Sequence, residues 1–173
     1  MKRKLHHEIN EVRDCVIGLG LAFVLCSFAA LASNVPGFDD YPVKKISKDK
    51  IMVVDLKSHP KAGFFRSHLS EVKGRSANFA GHYVVVTWGC GTSCQTVALV
   101  EVKSGKIYFA PFSTGLGSDF RVDSSLFVDS PPPAIREYYG GSLDVPNRLF
   151  FSFYYVWDEK ETKFRLVHKE NDK

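Results

Sequence analysis

Residues 82–110 read HYVVVTWGCGTSCQTVALVEVKSGKIYFA, and this stretch decides the fold. It contains three runs rich in β-branched and aromatic residues, at positions 82–88, 96–102 and 107–110. Such runs favour strands. Only KSGK (residues 103–106) separates the second run from the third, and a short polar connection with a glycine is typical of a β-hairpin. The stretch therefore predicts antiparallel strands joined as a meander.

Upstream of this stretch, residues 62–72 show the period of an α-helix, and Gly74 follows where helices commonly end. The predicted buried face consists of Phe65, His68, Leu69 and Val72. Residues 51–56 (IMVVDL) form an apolar run that predicts an additional strand. The mature chain thus begins with a strand and a helix before the meander.

Downstream of the stretch, residues 111–121 (PFSTGLGSDFR) predict a long loop, and residues 126–128 a short strand stopped by the prolines at 131–133. Residues 149–157 (LFFSFYYVW) and 163–168 (KFRLVH) predict a final hairpin, with the return strand at a sheet edge. Phe164 and Leu166 are predicted to point inward from that return strand. The core face of the outgoing strand is predicted as Leu149, Phe151, Phe153, Tyr155 and Trp157.

The order of these elements predicts a mainly β (α+β) fold. It is either an antiparallel meander sheet or a small sandwich or barrel, with one packed helix. Periodicity does not choose between these architectures. The expected domain organisation is a signal peptide at 1–32, an N-terminal surface arm at 33–50 and a single β-rich domain at 51–173.

The amino-terminal segment predicts export. An apolar run at 16–32 ends in Ala30-Leu31-Ala32, a small-x-small pattern that a signal peptidase accepts. An uncleaved membrane anchor is the alternative. The net charge of +4 comes from scattered basic residues, and no basic stripe indicates nucleic acid. The expected location is the periplasm or the outside of the cell, with membrane contact only through an uncleaved leader.

Cleavage would leave two cysteines, Cys90 and Cys94, which predict a disulfide in an oxidising compartment. Three alternatives stay open. A redox pair is disfavoured because three residues, not two, separate the cysteines. A zinc site with His82 is disfavoured because that residue lies at the far end of the same strand. A cysteine nucleophile paired with a histidine needs a free thiol.

The loop between Cys90 and Cys94 is the candidate site. A disulfide across so few residues does little for global stability but holds the loop in one shape, which favours binding. The candidate binding residues are His82, Trp88, Gly89, Gly91, Thr92 and Ser93. His82 itself is expected to bond a backbone group. No catalytic residue, metal ligand or cofactor is predicted.

Two segments carry a resemblance. NFAGHY (residues 78–83) followed by WGCGTSC (residues 88–94) resembles a motif of small exported bacterial proteins to which no activity is assigned. FRVDSSL (residues 120–126) and the hairpin at 154–164 fit the same group. The resemblance covers about residues 62–168 by the extent of the sheet-forming runs. It implies export and a shared fold, and it implies no chemistry.

Three functions remain in competition at this stage. The favoured one is a non-catalytic, inhibitor-like binding module that recognises another envelope or secreted protein, or an envelope polymer. The second is a small envelope hydrolase or thiol redox enzyme that uses Cys90 or Cys94 with a histidine. The third is a structural envelope protein held by an uncleaved leader.

Overall fold

Two antiparallel sheets form the framework of the protein, as seen in a computed structural model that describes residues 35–144 and 149–170. The first sheet consists of β1 (Tyr83–Gly91), β2 (Cys94–Glu101) and β3 (Ile107–Thr114), in that order. The second consists of β4 (Ser118–Phe120), β5 (Leu126–Asp129), β6 (Phe153–Asp158) and β7 (Lys163–Lys169), in that order. The predicted mainly β fold is confirmed as two sheets, not a closed barrel. The predicted signal peptide lies outside the described residues.

The helical content differs from the prediction in detail. Helix α1 (Arg66–Ser70) lies inside the predicted segment 62–72. It has only five residues, and it buries Leu69. A second helix, α2 (Pro132–Tyr138), starts within the proline run, which the sequence predicts only as the end of a strand. Proline is favoured in the first turn of a helix because no intrahelical partner awaits its missing N–H. No described helix is long and apolar enough to cross a membrane.

The predicted strand at residues 51–56 is wrong. This segment belongs to neither sheet, and Met52 and Val53 within it are exposed. Ile51 exchanges backbone hydrogen bonds with Gly74 and Arg75, and the Asp55 N–H donates to the Gly105 carbonyl at 2.9 Å. The apolar run therefore serves as a cover over the first sheet, where Ile51 is fully buried.

Burial on both faces of the first sheet explains the unbroken apolar run of β1. On one face, Val84, Val86 and Trp88 pack under α1 and the segment that precedes it. On the other face, Tyr83 and Val85 pack against side chains of the second sheet. A strand that is covered on both faces needs apolar residues at every position rather than at alternate ones.

The second sheet is also covered on its outer face. Phe38 and Tyr41, from the segment predicted to be a surface arm, pack there against a cluster of β5 and β6 side chains. The Ser124 hydroxyl donates to the carbonyls of Phe38, at 2.7 Å, and Tyr41, at 3.1 Å. This part of the arm is therefore a packed layer of the fold.

The predicted inward face of the final hairpin is partly wrong. Tyr155 and Trp157 do face the first sheet, but Leu149 precedes β6 and is 77% exposed. The opposite parity, Tyr154 and Val156, is buried beneath the arm. On β7, Phe164 is buried as predicted, whereas Leu166 is half exposed because its strand lies at the sheet edge.

The predicted loop at 111–121 is shorter in the structure. β3 continues through Pro111 to Thr114, and β4 begins only four residues later at Ser118. The register of β3 against β2 shifts between the pairs Ala98–Phe109 and Thr96–Ser113. This bulge absorbs the proline, which is how an edge strand tolerates the missing N–H.

Candidate functional site

The Cys90–Cys94 disulfide closes the tip of the β1–β2 hairpin, with the two Cα atoms 5.1 Å apart. Gly91 pairs with Cys94, which leaves Thr92 and Ser93 as a two-residue turn. The φ angles of Gly91 and Ser93 are both positive, at 138° and 50°. A positive φ of this size is strained for most side chains, which accounts for glycine at position 91. The predicted disulfide is confirmed, and it fits an oxidising compartment.

The hairpin tip extends past the rest of the first sheet. β3 pairs with β2 only as far as Gln95, so among the described residues the ends of β1 and β2 beyond that pair have only each other as neighbouring strands. Residues 89–93 are all exposed. We call residues 89–94 the hairpin tip. It combines exposure to solvent with a covalent restraint across its base.

Trp88 lies below the hairpin tip and not on its surface. Its side chain is only 7% exposed, and it packs against Phe65 at 4.9 Å and parallel to His68 at 5.3 Å between ring centroids. Its indole N–H is buried and has no hydrogen-bond partner within the described residues. Among the candidate binding residues, Trp88 is therefore a buried core residue that supports the hairpin tip from below.

His82 lies at the opposite end of the hairpin from the cysteines. Cys90 lies eight positions further along the chain, which corresponds to roughly 26 Å at the rise of a strand. The structure thus does not bring this histidine to the disulfide. Its Nε2 atom lies 2.6 Å from the Glu159 carboxylate, so it bonds a side chain and not the backbone group expected from the sequence.

Glu159 is the centre of a polar cluster that the sequence did not indicate. Its Oε1 atom accepts a hydrogen bond from the Tyr83 hydroxyl at 2.9 Å, and its Oε2 atom accepts one from the Trp157 indole at 3.0 Å. With His82, three donors converge on one carboxylate. The cluster joins the start of β1 to the turn between β6 and β7, and therefore ties the two sheets together.

Tyr83 within this cluster is almost fully buried, at 2% exposure. Burial raises the pKa of its hydroxyl far above the usual value, and the adjacent Glu159 carboxylate acts in the same direction. The hydroxyl is therefore a permanent donor to Glu159 and no acid at neutral pH. The cluster can therefore hold the two sheets in register.

Asp129 is a second polar group that sequence reasoning missed. It lies at the end of β5 with 5% exposure, and the Ser130 hydroxyl donates to it at 2.8 Å. Burial raises the pKa of Asp129 to about 6, and the hydrogen bonds from Ser130 and the Gly115 backbone offset only part of that effect. No sequence signal could have found it, because the Gly115 backbone that bonds Asp129 belongs to a different loop of the chain.

Within residues 35–144 and 149–170, no group of three or more His, Cys, Asp or Glu side chains could hold a metal ion. No family model matches the chain, and no significant match to it exists among curated proteins or solved structures.

Proposed function

We propose that this chain is an exported, non-catalytic binding module whose contact surface is the hairpin tip. The observation that carries the proposal is a covalently closed two-residue turn, at the end of a hairpin, whose residues 89–93 are all exposed. The partner is another envelope or secreted protein, and the expected location is the periplasm or the outside of the cell. An oxidising compartment is where such a bond persists.

The energetics of the disulfide support a binding role over a purely structural one. Loop-closure entropy grows with loop length, and Cys90 and Cys94 are separated by four positions. The bond therefore adds little to a domain that already has buried clusters on both faces of its first sheet. What it does restrict is the tip itself. A tip that is rigid before binding loses less conformational entropy when a partner docks.

Site-specific photocrosslinking in the producing cells tests the proposal. A photoreactive amino acid replaces Thr92 in the tip, and the matched control carries it at Lys160, in the exposed turn between β6 and β7. We expect one adduct of defined mass from position 92 that saturates as the partner is consumed, and no such adduct from position 160. Identical adduct patterns at both positions, or none at position 92, would contradict a binding function of the tip.

The export component has its own test. The intact mass of the purified protein, measured with and without alkylation before reduction, reports both the cleavage site and the thiol state. We expect the mass of residues 33–173 lowered by the two hydrogens of one disulfide, with no alkylation. A retained leader would favour the anchored alternative, and an alkylated cysteine would favour the thiol enzyme.

A further inference from the structure

Along the outer edge of β1, only every second residue has backbone N–H and C=O groups that are available for pairing with another strand. The Val102 N–H donates to the His82 carbonyl at 2.9 Å, which identifies that pair as a hydrogen-bonded one in the β1–β2 ladder. Because hydrogen-bonded and non-hydrogen-bonded pairs alternate along an antiparallel ladder, every second residue of β1 directs its N–H and C=O away from β2. The residues whose backbone groups point outward are Tyr83, Val85, Thr87 and Gly89.

The first half of this edge is closed by the chain itself. The Tyr83 N–H donates to the Phe79 carbonyl at 3.0 Å, and the Tyr83 carbonyl accepts from the Asn78 N–H at 2.9 Å. The Val85 N–H donates to the side-chain oxygen of Asn78 at 2.8 Å. The segment before β1 therefore occupies the edge as far as Val85.

The second half of the edge is open. Thr87 and Gly89 are exposed, and neither makes a hydrogen bond on its outer side to any residue that the structure describes. The open stretch ends at Cys90, where the register of β1 against β2 shifts. It is three residues long, or roughly 10 Å at the rise of a strand. We call Thr87–Gly89 the open edge; it leads directly into the hairpin tip.

The other described strand edges carry features that discourage pairing. On β3, the Ile107 N–H is bonded to the Ser58 hydroxyl at 3.0 Å, and Pro111 within the bulge has no N–H to offer. β4 exposes the acidic side chain of Asp119 at its centre. β7 exposes the basic side chains Lys163, Arg165 and Lys169 along its length. Charged or proline-bearing edges are protected against strand addition.

We propose that the open edge accepts an extended segment of a partner protein as an added strand, next to the hairpin tip. This inference rests on the proposed binding function and specifies its chemistry: backbone N–H and C=O groups of the partner pair with those of Thr87 and Gly89. No Asp, Glu, Lys or Arg occurs between His82 and Glu101. The added segment is therefore recognised through its backbone and uncharged side chains.

A peptide segment fits this edge better than a second copy of the chain does. In an antiparallel pair of two β1 edges with Thr87 opposite Gly89, the same register sets Gly91 of the mate opposite Val85. The Val85 N–H is already bonded to Asn78, and the backbone of residues 78 and 79 occupies that side. A short extended segment ends before this obstruction, whereas the mate's hairpin tip would run into it.

Amide NMR with a defined probe tests the proposal on the protein as purified from the cells that process it. The probe is acetyl-Thr-Val-Thr-Val-Lys-amide, and its control is the same peptide with every amide N-methylated. We expect the probe to shift the amide signals of Thr87 and Gly89, the N-methylated peptide to leave them unchanged, and the probe's affinity to persist from low to about 1 M salt. Shifts elsewhere, shifts with both peptides, or none up to the solubility limit would overturn the proposal.

Two variants locate the effect on the backbone. Thr87→Pro removes one outward N–H and should weaken probe binding at least tenfold, whereas Thr87→Val keeps that N–H and should bind as the wild type does. If Thr87→Pro does not fold, the N-methylated control still decides the matter on the wild type. Concentration-dependent self-association that protects these two amides without any probe would assign the edge to a second copy and overturn the choice of partner.

The outcomes for the tip and for the open edge are distinguishable. A specific adduct at position 92 together with no response of Thr87 and Gly89 to the probe keeps the binding function and removes strand addition. A clear probe response with no adduct at position 92 removes the proposed role of the tip and keeps the edge as a peptide-binding element.

Discussion

The Cys90–Cys94 disulfide restricts the conformation of its own loop more than it stabilises the whole domain. Because so few residues lie between them, the double substitution Cys90→Ser, Cys94→Ser should lower the free energy of unfolding by only about 2 kcal/mol, the loop-closure entropy of a five-residue ring. Urea unfolding measures this loss. The same variant should show much faster amide exchange at Thr92 and Ser93 while the amides of Val97 and Leu99, both fully buried, keep their protection.

A larger effect on stability would change the interpretation of the bond. Loss of cooperative unfolding in the double serine variant, or a loss well above the ring's entropy, would mean that the disulfide holds the domain together. It would then be a structural staple, and the case for a preorganised contact surface would weaken. Partial reduction of the wild type with a mild thiol provides the matched control, because it breaks the bond without changing the side chains.

Asp129 gives the protein a pH dependence of stability with a definite sign. Its pKa is about 6 in the folded chain and 3.8 in the unfolded one, so between these values the folded state binds more protons than the unfolded state. Stability therefore falls as the pH rises through this window. The Asp129→Asn variant lacks this titration. The difference in unfolding free energy, variant minus wild type, should grow by roughly 2 kcal/mol from pH 4 to pH 7.

Asp158 supplies a control of opposite sign. Backbone N–H groups of Glu161 and Lys160 bond its carboxylate and lower its pKa. Its stabilising contribution is present at neutral pH and is lost as the pH falls. Urea unfolding should therefore show Asp158→Asn to be less stable than the wild type at neutral pH. The difference in unfolding free energy, variant minus wild type, should be negative at neutral pH and rise toward zero as the pH falls, whereas that of Asp129→Asn falls as the pH falls. If Asp129→Asn followed that same direction, its carboxyl would not be the buried acid described above.

Within β1, proline should be more harmful at residues whose backbone N–H bonds β2 than at residues whose N–H points away from β2. Val86 belongs to a hydrogen-bonded pair with Ala98, so Val86→Pro breaks the ladder and should cost about 3 kcal/mol or more. The N–H of Thr87 points away from β2, so Thr87→Pro should cost less than about 1 kcal/mol by the same reasoning. Urea unfolding of the two variants compares them directly. Equal losses would show that Thr87 is not an outward position.

The elements that sequence reasoning predicted well are those whose pattern is local. The β1–β2–β3 meander follows from three apolar runs and two short polar turns, and the structure reproduces it with boundaries shifted by a few residues. The segment at 51–56 misled the prediction because an apolar run does not by itself indicate strand pairing: Ile51 and Val54 are buried, whereas Met52 and Val53 are exposed. α2 was missed because Pro131 to Pro133 indicate both the end of a strand and the start of a helix.

In the candidate site, too, the local features could be predicted from the sequence and the long-range contacts could not. The disulfide was predictable, since two cysteines left in a chain that is expected to be exported have few alternatives to pairing. The role of His82 was not, because its partner Glu159 lies 77 residues further along the chain in what reads as an ordinary polar turn. The burial of Trp88 was also hidden, since it depends on Phe65 and His68 folding back over the first sheet. Long-range packing, which periodicity does not encode, decided both.

At the scale of the whole molecule, aromatic packing joins the two sheets. Phe127 of β5 is fully buried and lies against Phe112 of β3 and Phe164 of β7, with ring centroids 5.8 Å and 5.5 Å apart. The Glu159 cluster adds a polar link at one end of this interface. The chain from Val35 onward also clusters as one compact unit. Each sheet has a buried cluster on its outer face, but the two sheets share the cluster that contains Phe127, so we expect them to unfold together.

Phe127→Ala tests this cooperativity. The change removes a large buried ring and should lower the free energy of unfolding by about 3–5 kcal/mol. Trp88 belongs to the cluster on the far side of the first sheet and is separate from the cluster that contains Phe127. In a Trp157→Phe background, the fluorescence of Trp88 should nonetheless report the full loss, because a two-state domain transmits destabilisation to every probe. An unchanged Trp88 transition, with the second sheet already unfolded by circular dichroism, would show that the first sheet is stable on its own.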